Sequence, residues 1–199
     1  MELEILTYPD PALRRVARPL ERIDDEVRAR AKRMLELMYA GKGVGLAAPQ
    51  VGWSVRLIVA NPTGKPEDER IFINPEVRNR RGREVGVEGC LSLPEITGKI
   101  ERAKKVELAA YDLDGREFKL DLDDFAARVI QHECDHLEGI LIIDRMSPAE
   151  RSRVERNLRE LIRRRNELEA ADGHKRGVAL VGGTEAPPAS GSARATART

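Results

Sequence analysis

An α+β fold is expected for this chain of 199 residues: short, mostly antiparallel strands packed around a central helix, with a further helix toward the C-terminus. Three observations predict it. Apolar residues recur at helical spacing early in the chain and again in two stretches after residue 123. Short branched runs bounded by turn residues fill the middle. Two strand-like segments flank Asp114-Gly115, a dipeptide that favours a hairpin turn.

Taken in order, residues 24–40 form the first expected helix. Val27, Ala31, Met34, Leu35 and Met38 line one face, Asp24 or Asp25 caps the start, and Gly41 ends it. The Gly-rich stretch 41–50, GKGVGLAAPQ, opposes a continuing helix through Gly41, Gly43, Gly45 and Pro49. Strands are expected at 55–60 and 71–74, then at 105–112 and 116–122 around the Asp114-Gly115 turn. In the last of these Phe118, Leu120 and Leu122 alternate with polar residues, the period of a half-buried strand. A helix follows from Asp123 or Asp124, with Phe125, Val129, His132 and His136 sharing a face and Gly139 as its stop. A second helix spans about Pro148 to Glu169, with Val154, Leu158, Leu161 and Ile162 as its apolar stripe. From residue 171 the chain turns to small residues, Pro and Gly, which bury too little apolar surface to offset ordering entropy. The expected organisation is therefore one domain over 1–170 and a disordered tail over 171–199.

Lys plus Arg number 35 and Asp plus Glu 34, a formal net charge of +1. That near-neutral balance gives no global reason to bind nucleic acid or membrane. The opening MELEILTYPD carries three acids and no long apolar run, unlike a signal peptide, and no segment approaches the roughly 20 apolar residues of a membrane span. Two cysteines, Cys90 and Cys134, are too few for a disulfide framework and suit a reducing, cytoplasmic setting as free thiols or a metal ligand.

The strongest local signal is His132-Glu133-Cys134-Asp135-His136. On a helix, residues four apart differ by about 40° and face the same way, so two imidazoles can grip one metal ion. Glu133 sits beside them, within reach of a metal-activated water. The plainer alternative is a polar turn of a surface helix. A catalytic site needs about three protein ligands, so the third one decides the class. The HExxHxxGxxH extension fails, because its last position is Ile142. A thermolysin-like site would take Glu155 or Glu160 from the later helix, which is laden with Arg. His174 lies in the expected tail. Cys134 stands about 200° round the helix from His132 and points away. Cys90 remains, in Glu88-Gly89-Cys90-Leu91-Ser92, where a thiolate would suit zinc or ferrous iron. Considered alone, a free cysteine is more often a small buried hydrophobe.

Three segments occur in series: Gly43-Val44-Gly45-Leu46-Ala47-Ala48-Pro49-Gln50, then Glu88-Gly89-Cys90-Leu91-Ser92, then Gln131-His132-Glu133-Cys134-Asp135-His136-Leu137-Glu138-Gly139. They resemble the GxGLAAxQ, EGCLS and QHExDHLxG motifs of the peptide deformylase family, over about residues 3–165. The resemblance implies hydrolysis of the N-formyl group from the formyl-methionine of newly made polypeptides, releasing formate. It implies Cys90, His132 and His136 as ligands of one divalent ion, Fe²⁺ foremost, with Zn²⁺ or another ion able to replace it. Glu133 is implied as the acid/base residue acting with a metal-activated water. The Gln50 amide and the Leu91 backbone N–H are implied as the oxyanion donors.

Further residues follow with less specificity. Val44, Gly45 and Gly89 would hold an extended peptide by their backbone, and Val129 would line the methionine pocket with Val44 and His132. Arg128, one turn before His132, would alter pocket polarity, and Arg102 could pair with Asp135. Nascent formyl-methionyl chains are the expected partners of a monomer. The ribosome is a candidate partner through the Arg-rich helix 151–165, against the alternative of a solvated face paired with Glu155 and Glu160. Two rival functions stand beside this one. A zinc peptidase would give Cys90 no role, and a scaffold that only binds peptide N-termini would lack a ligand, base or oxyanion donor.

Overall fold

A computed structural model describes residues 3–181, with side chains described except at 66, 169 and 171–181. Contacts divide the chain into a first compact unit ending at Ile162 and a second beginning at Arg163.

Helix α1 (Asp25–Ala40) starts where expected. Asp24 accepts the Val27 N–H at 3.1 Å, and Asp25 and Glu26 complement the helix dipole in the first turn. Its buried face of Val27, Ala31, Met34 and Met38 packs on strands β1 (Gly45–Ala47) and β2 (Leu57–Ala60) through Leu46, Leu57 and Val59. Strand β3 (Arg70–Arg81) is much longer than the four residues expected, continuing as a polar, exposed strand beyond its apolar start. Strands β6 (Lys105–Tyr111) and β7 (Glu117–Asp123) form the expected hairpin. Its loop is wider than a two-residue turn: Asp112 donates its N–H to Arg116 O, and Gly115 takes a left-handed φ of 77°. These strands make one antiparallel sheet in the order β1-β2-β3-β6-β7.

Sequence patterning gave no strand for β4 (Glu84–Cys90) or β5 (Leu93–Arg102), which pair as a separate two-stranded sheet. Gly86, Gly89, Pro94 and Gly98 hide them by propensity. The alternation in β5 is nevertheless regular, with Ile96, Gly98, Ile100 and Arg102 turned inward.

Helix α2 (Asp124–Leu137) packs against the five-stranded sheet and is buried on almost every side from Ala127 onward. Two expectations are corrected here. Asp123 occupies the N-cap position but makes no side-chain cap bond. Phe125 is 53 % exposed, because it sits in the first turn, ahead of the buried run. Past α2, Gly139 turns left-handed at φ 69°, and a Cβ there would lie 2.5 Å from the Arg14 carbonyl oxygen. A short helix α3 (Ile142–Arg145) leads to α4 (Pro148–Val181). Within the first unit Val154, Leu158 and Leu161 of α4 join Leu93, Ile96 and Ile100 of β5 and Ile142 and Ile143 of α3 in one apolar cluster. The helix runs past the Glu169 end read from the pattern; the expected disorder from residue 171 falls, for residues 182–199, outside the described residues.

The N-terminal segment crosses all three motif regions. Leu6 donates its N–H to Gln50 O, Tyr8 to Ser92 O and Ala17 to Leu137 O, at 2.7–2.8 Å.

Candidate metal centre

Cys90 ends β4, and His132 and His136 stand one turn apart on α2. Their donor atoms lie within 4.8 Å of one another, and among the described residues this is the one group of three His, Cys, Asp or Glu side chains so placed. The Cys90 Sγ is 3.3 Å from His136 Nε2. Glu155 and Glu160, on α4, do not join it. One thiolate and two imidazoles form a donor set that fits zinc or ferrous iron and leaves room for a further ligand.

The imidazoles have different surroundings. His132 Nδ1 meets Glu88 Oε2 at 3.0 Å, which fixes the ring and leaves Nε2 for the cluster. Burial pushes the His132 pKa down, but the Cys90 and Glu88 contacts outweigh it and hold the value well above ordinary. A metal at Nε2 would take the place of the proton that faces Cys90. His136 is 1 % exposed, and burial together with the neighbouring His132 charge drives its pKa well below the ordinary value, favouring the neutral, ligating form.

Glu88 anchors a buried ionic network. It accepts from Arg102 Nε and Nη2, both at 2.9 Å, and from Arg128 Nη1 at 2.8 Å. Burial alone would raise its pKa, but the hydrogen bonds from His132 and Arg102 outweigh it and hold it at about 2. Arg102 also pairs with Asp135, the contact considered from sequence, and Arg145 grips Asp135 from the other side at 2.7 Å. Arg128 completes its bonds on Ile100 O and Glu84 O, and a Cβ at Gly86 would lie 2.8 Å from its guanidinium carbon. Gln131 ties α2 to the β5–β6 connection, donating to Ala103 O and accepting the Ala103 N–H.

Glu133 is 4 % exposed, and its Oε2 has no hydrogen-bond partner. Burial pushes its pKa up to about 7, with the His132 charge opposing the rise. A Cβ at Gly45 would lie 2.3 Å from Glu133 Oε1, so only glycine lets β1 run this close. Gln50 accepts the Ala47 N–H through Oε1 at 2.8 Å, which aims its NH₂ group at Cys90 Sγ (3.5 Å) and Ser92 Oγ (3.2 Å).

A cavity of 360 Å³ opens beside the cluster. It is lined by Val44, Gly45, Gln50, Gly89, Cys90, Leu91, Val129, His132 and Glu133, thus by every site residue read from the sequence except the deeper His136. Lys42, Ile96, Thr97 and Arg128 also line it. Sequence reasoning gave Glu88 no role of its own, although residues two apart on a strand share a face and Glu88 precedes Cys90 by two. Arg145 carried no signal. Cys134 faces away, lining a different groove, and burial pushes its thiol up to about 12.

Residues 2–152 match the family described as Polypeptide deformylase. The peptide deformylase of Rhodopirellula baltica is 47 % identical over 148 residues, spanning 73 % of this chain and 74 % of that protein. That of Acidobacterium capsulatum is 45 % identical over 161 residues, 80 % of this chain and 95 % of that protein. Among solved structures, Plasmodium falciparum peptide deformylase superposes with a TM-score of 0.79 at 41 % identity, covering 82 % of this chain and 98 % of that one. The Thermotoga maritima enzyme gives 0.71 at 43 %, covering 74 % and 99 %.

Proposed function

Because the chain belongs to the peptide deformylase family, we propose that Cys90, His132 and His136 hold one divalent metal ion, Fe²⁺ in the cell, and that Glu133, Gln50 and Leu91 carry the chemistry around it. The enzyme removes the N-formyl group from newly made polypeptides. The observation that carries the site assignment is the convergence of the three donor atoms beside an unpartnered, buried carboxylate.

When bound, the ion supplies Lewis acidity, which activates water near neutral pH. Glu133 takes the proton of the attacking water and delivers it to the departing amine; a carboxyl raised to about 7 both accepts and gives near neutrality. The Gln50 NH₂ group, already aimed by Ala47, and the Leu91 N–H meet the charge that develops on the formyl oxygen. Strand β1 is an edge of its sheet, so an extended peptide can lie along Val44 and Gly45, opposite Gly89, by backbone hydrogen bonds. Val129 then packs against the methionine side chain in the cavity.

The catalytic unit is read as residues 1–170, with the whole site inside the first compact unit. One copy provides every site residue, which supports a monomer. No helix among the described residues is long and apolar enough to cross a membrane; the nascent substrate supports a cytoplasmic location. The ribosome is proposed as a partner through the Arg-rich α4, although Arg151, Arg153, Arg159 and Arg163 each have a Glu neighbour. Unchanged ribosome binding after deletion of 150–199 would remove that assignment.

The test is formate release from a formyl-Met peptide by protein purified without oxygen, beside Cys90→Ser and Glu133→Ala, with metal content measured on each sample. Release by the parent, metal loss in Cys90→Ser, and full metal without turnover in Glu133→Ala are expected. Full metal and turnover in Cys90→Ser would overturn the ligand assignment.

A further inference from the structure

Behind α2, on the face opposite the catalytic cavity, lies a polar groove of 890 Å³. The two depressions share the helix by turns: Val129, His132 and Glu133 face the cavity, while Gln131, Cys134, Asp135 and Glu138 face the groove. One wall is the corner between β3 and β4, where residues 78–83 read RNRRGR, four arginines without an acid. Strand alternation divides them. Arg78 and Arg80 turn into the groove with Arg83, while Asn79 and Arg81 face a separate small cavity beside Lys105.

Six arginines and four carboxylates line the groove, a surplus of positive charge in a chain that is nearly neutral as a whole. The pairing is uneven. Arg56 holds Glu138 and Arg145 holds Asp135 at the helix side. At the corner, Arg78 holds Glu76 and Arg83 reaches Glu101 only at 3.4 Å, with side chains largely in solvent. Exposed Arg80 has no carboxylate within ion-pair distance among the described residues. Exposed pairs of this kind contribute little, so their guanidiniums can exchange a carboxylate for a phosphate, which the arginine fork matches in two hydrogen bonds.

We propose that this groove is a docking surface for the phosphate backbone of double-stranded RNA. No aromatic side chain lines it, so it offers no platform on which unpaired bases could stack. A duplex presents its phosphates outward and asks only for positive charge and shape, so the binding has no sequence preference. The placement suits an enzyme whose substrate emerges from an RNA-rich particle: an RNA held behind α2 leaves the peptide cavity open on the other face. No described residue of α4 lines the groove, and the proposal does not depend on which residues hold the metal, because its test reads binding.

The experiment is a fluorescence-anisotropy titration of the full-length holoenzyme with a labelled RNA duplex of about 16 base pairs. Salt is varied from about 50 to 200 mM. The Arg80→Glu/Arg83→Glu variant is compared with Arg156→Glu/Arg159→Glu on α4. The groove variant is expected to bind at least about tenfold more weakly at low salt, with the log–log salt slope flattened by about 2. A duplex of unrelated sequence should match the parent, and the α4 variant should lose clearly less affinity than the groove variant. Deformylation of a short free formyl peptide by the groove variant should be unchanged, which shows that it folds. Equal RNA affinity of parent and groove variant, loss confined to the α4 variant, or equally tight binding of a polyglutamate of matching charge would each overturn the proposal.

Discussion

Among single residues, Glu88 has the widest reach, since one carboxylate meets His132, Arg102 and Arg128 at once. Glu88→Gln keeps the shape and removes the charge. The expected result is a metal affinity about 10–100-fold lower, measured by competition with a chelator, because the ring of His132 loses its charged acceptor. Stability falls as well, by about 3–5 kcal/mol, since two buried guanidiniums lose a shared counter-charge and Arg102 keeps only Asp135. The pH dependence has a definite sign. With the folded pKa at about 2 against an ordinary 4.5, the carboxylate stabilises the fold fully above 4.5 and loses that effect as pH falls toward 2. The gap in Tm between parent and Glu88→Gln should therefore narrow on acidification, and a constant gap would count against the charge as its cause. What was legible at this scale were the motif residues with chemically loud side chains: the His132–His136 spacing, Glu133, Cys90 and Gln50. Glycines were legible as breaks, as peptide-binding backbone at Gly45 and Gly89 and, at Gly86 and Gly89, as places of close approach; that Gly45 and Gly86 are spaces kept for Glu133 and Arg128 was not, because those neighbours are distant in sequence.

For whole elements, amphipathic period revealed α1, α2, β7 and the first turns of α4, because each buries one face and wets the other. The β4–β5 pair escaped, since its composition serves close approach to α2 rather than strand propensity. The joint between these parts is Gln131, whose side chain replaces a strand-like pair of bonds to Ala103. Gln131→Ala leaves a backbone N–H and C=O without those partners and is expected to destabilise by about 1–3 kcal/mol. Thermal unfolding measures it. Activity per folded molecule should remain near that of the parent, because Gln131 is absent from the cavity lining.

Across the molecule, the α+β class and the antiparallel sheet followed from local patterns, but the partition into two sheets did not. It depends on which strands meet, information carried by contacts rather than by period. The apolar cluster joining β5, α3 and α4 shows what this partition achieves: it presses Leu93 and Ile96, which also line the catalytic cavity, against Leu158. Leu158, 2 % exposed, is expected to contribute about 2–5 kcal/mol against Leu158→Ala. The m-value in urea should stay unchanged if the whole first unit unfolds together, and a lowered m-value would show that α4 comes away first.

The N-terminal segment bonded to Gln50, Ser92 and Leu137 has a consequence in time. It is made before the residues it docks on, and by a long interval for some of them: Arg14 and Gly139 stand 125 positions apart. At roughly 5–20 residues per second that interval is on the order of ten seconds. Throughout it Arg14 and Ala17 lack their partners, and the segment is held only at Gln50 and Ser92. The segment that touches all three motif regions is thus also one of the last to be fully secured.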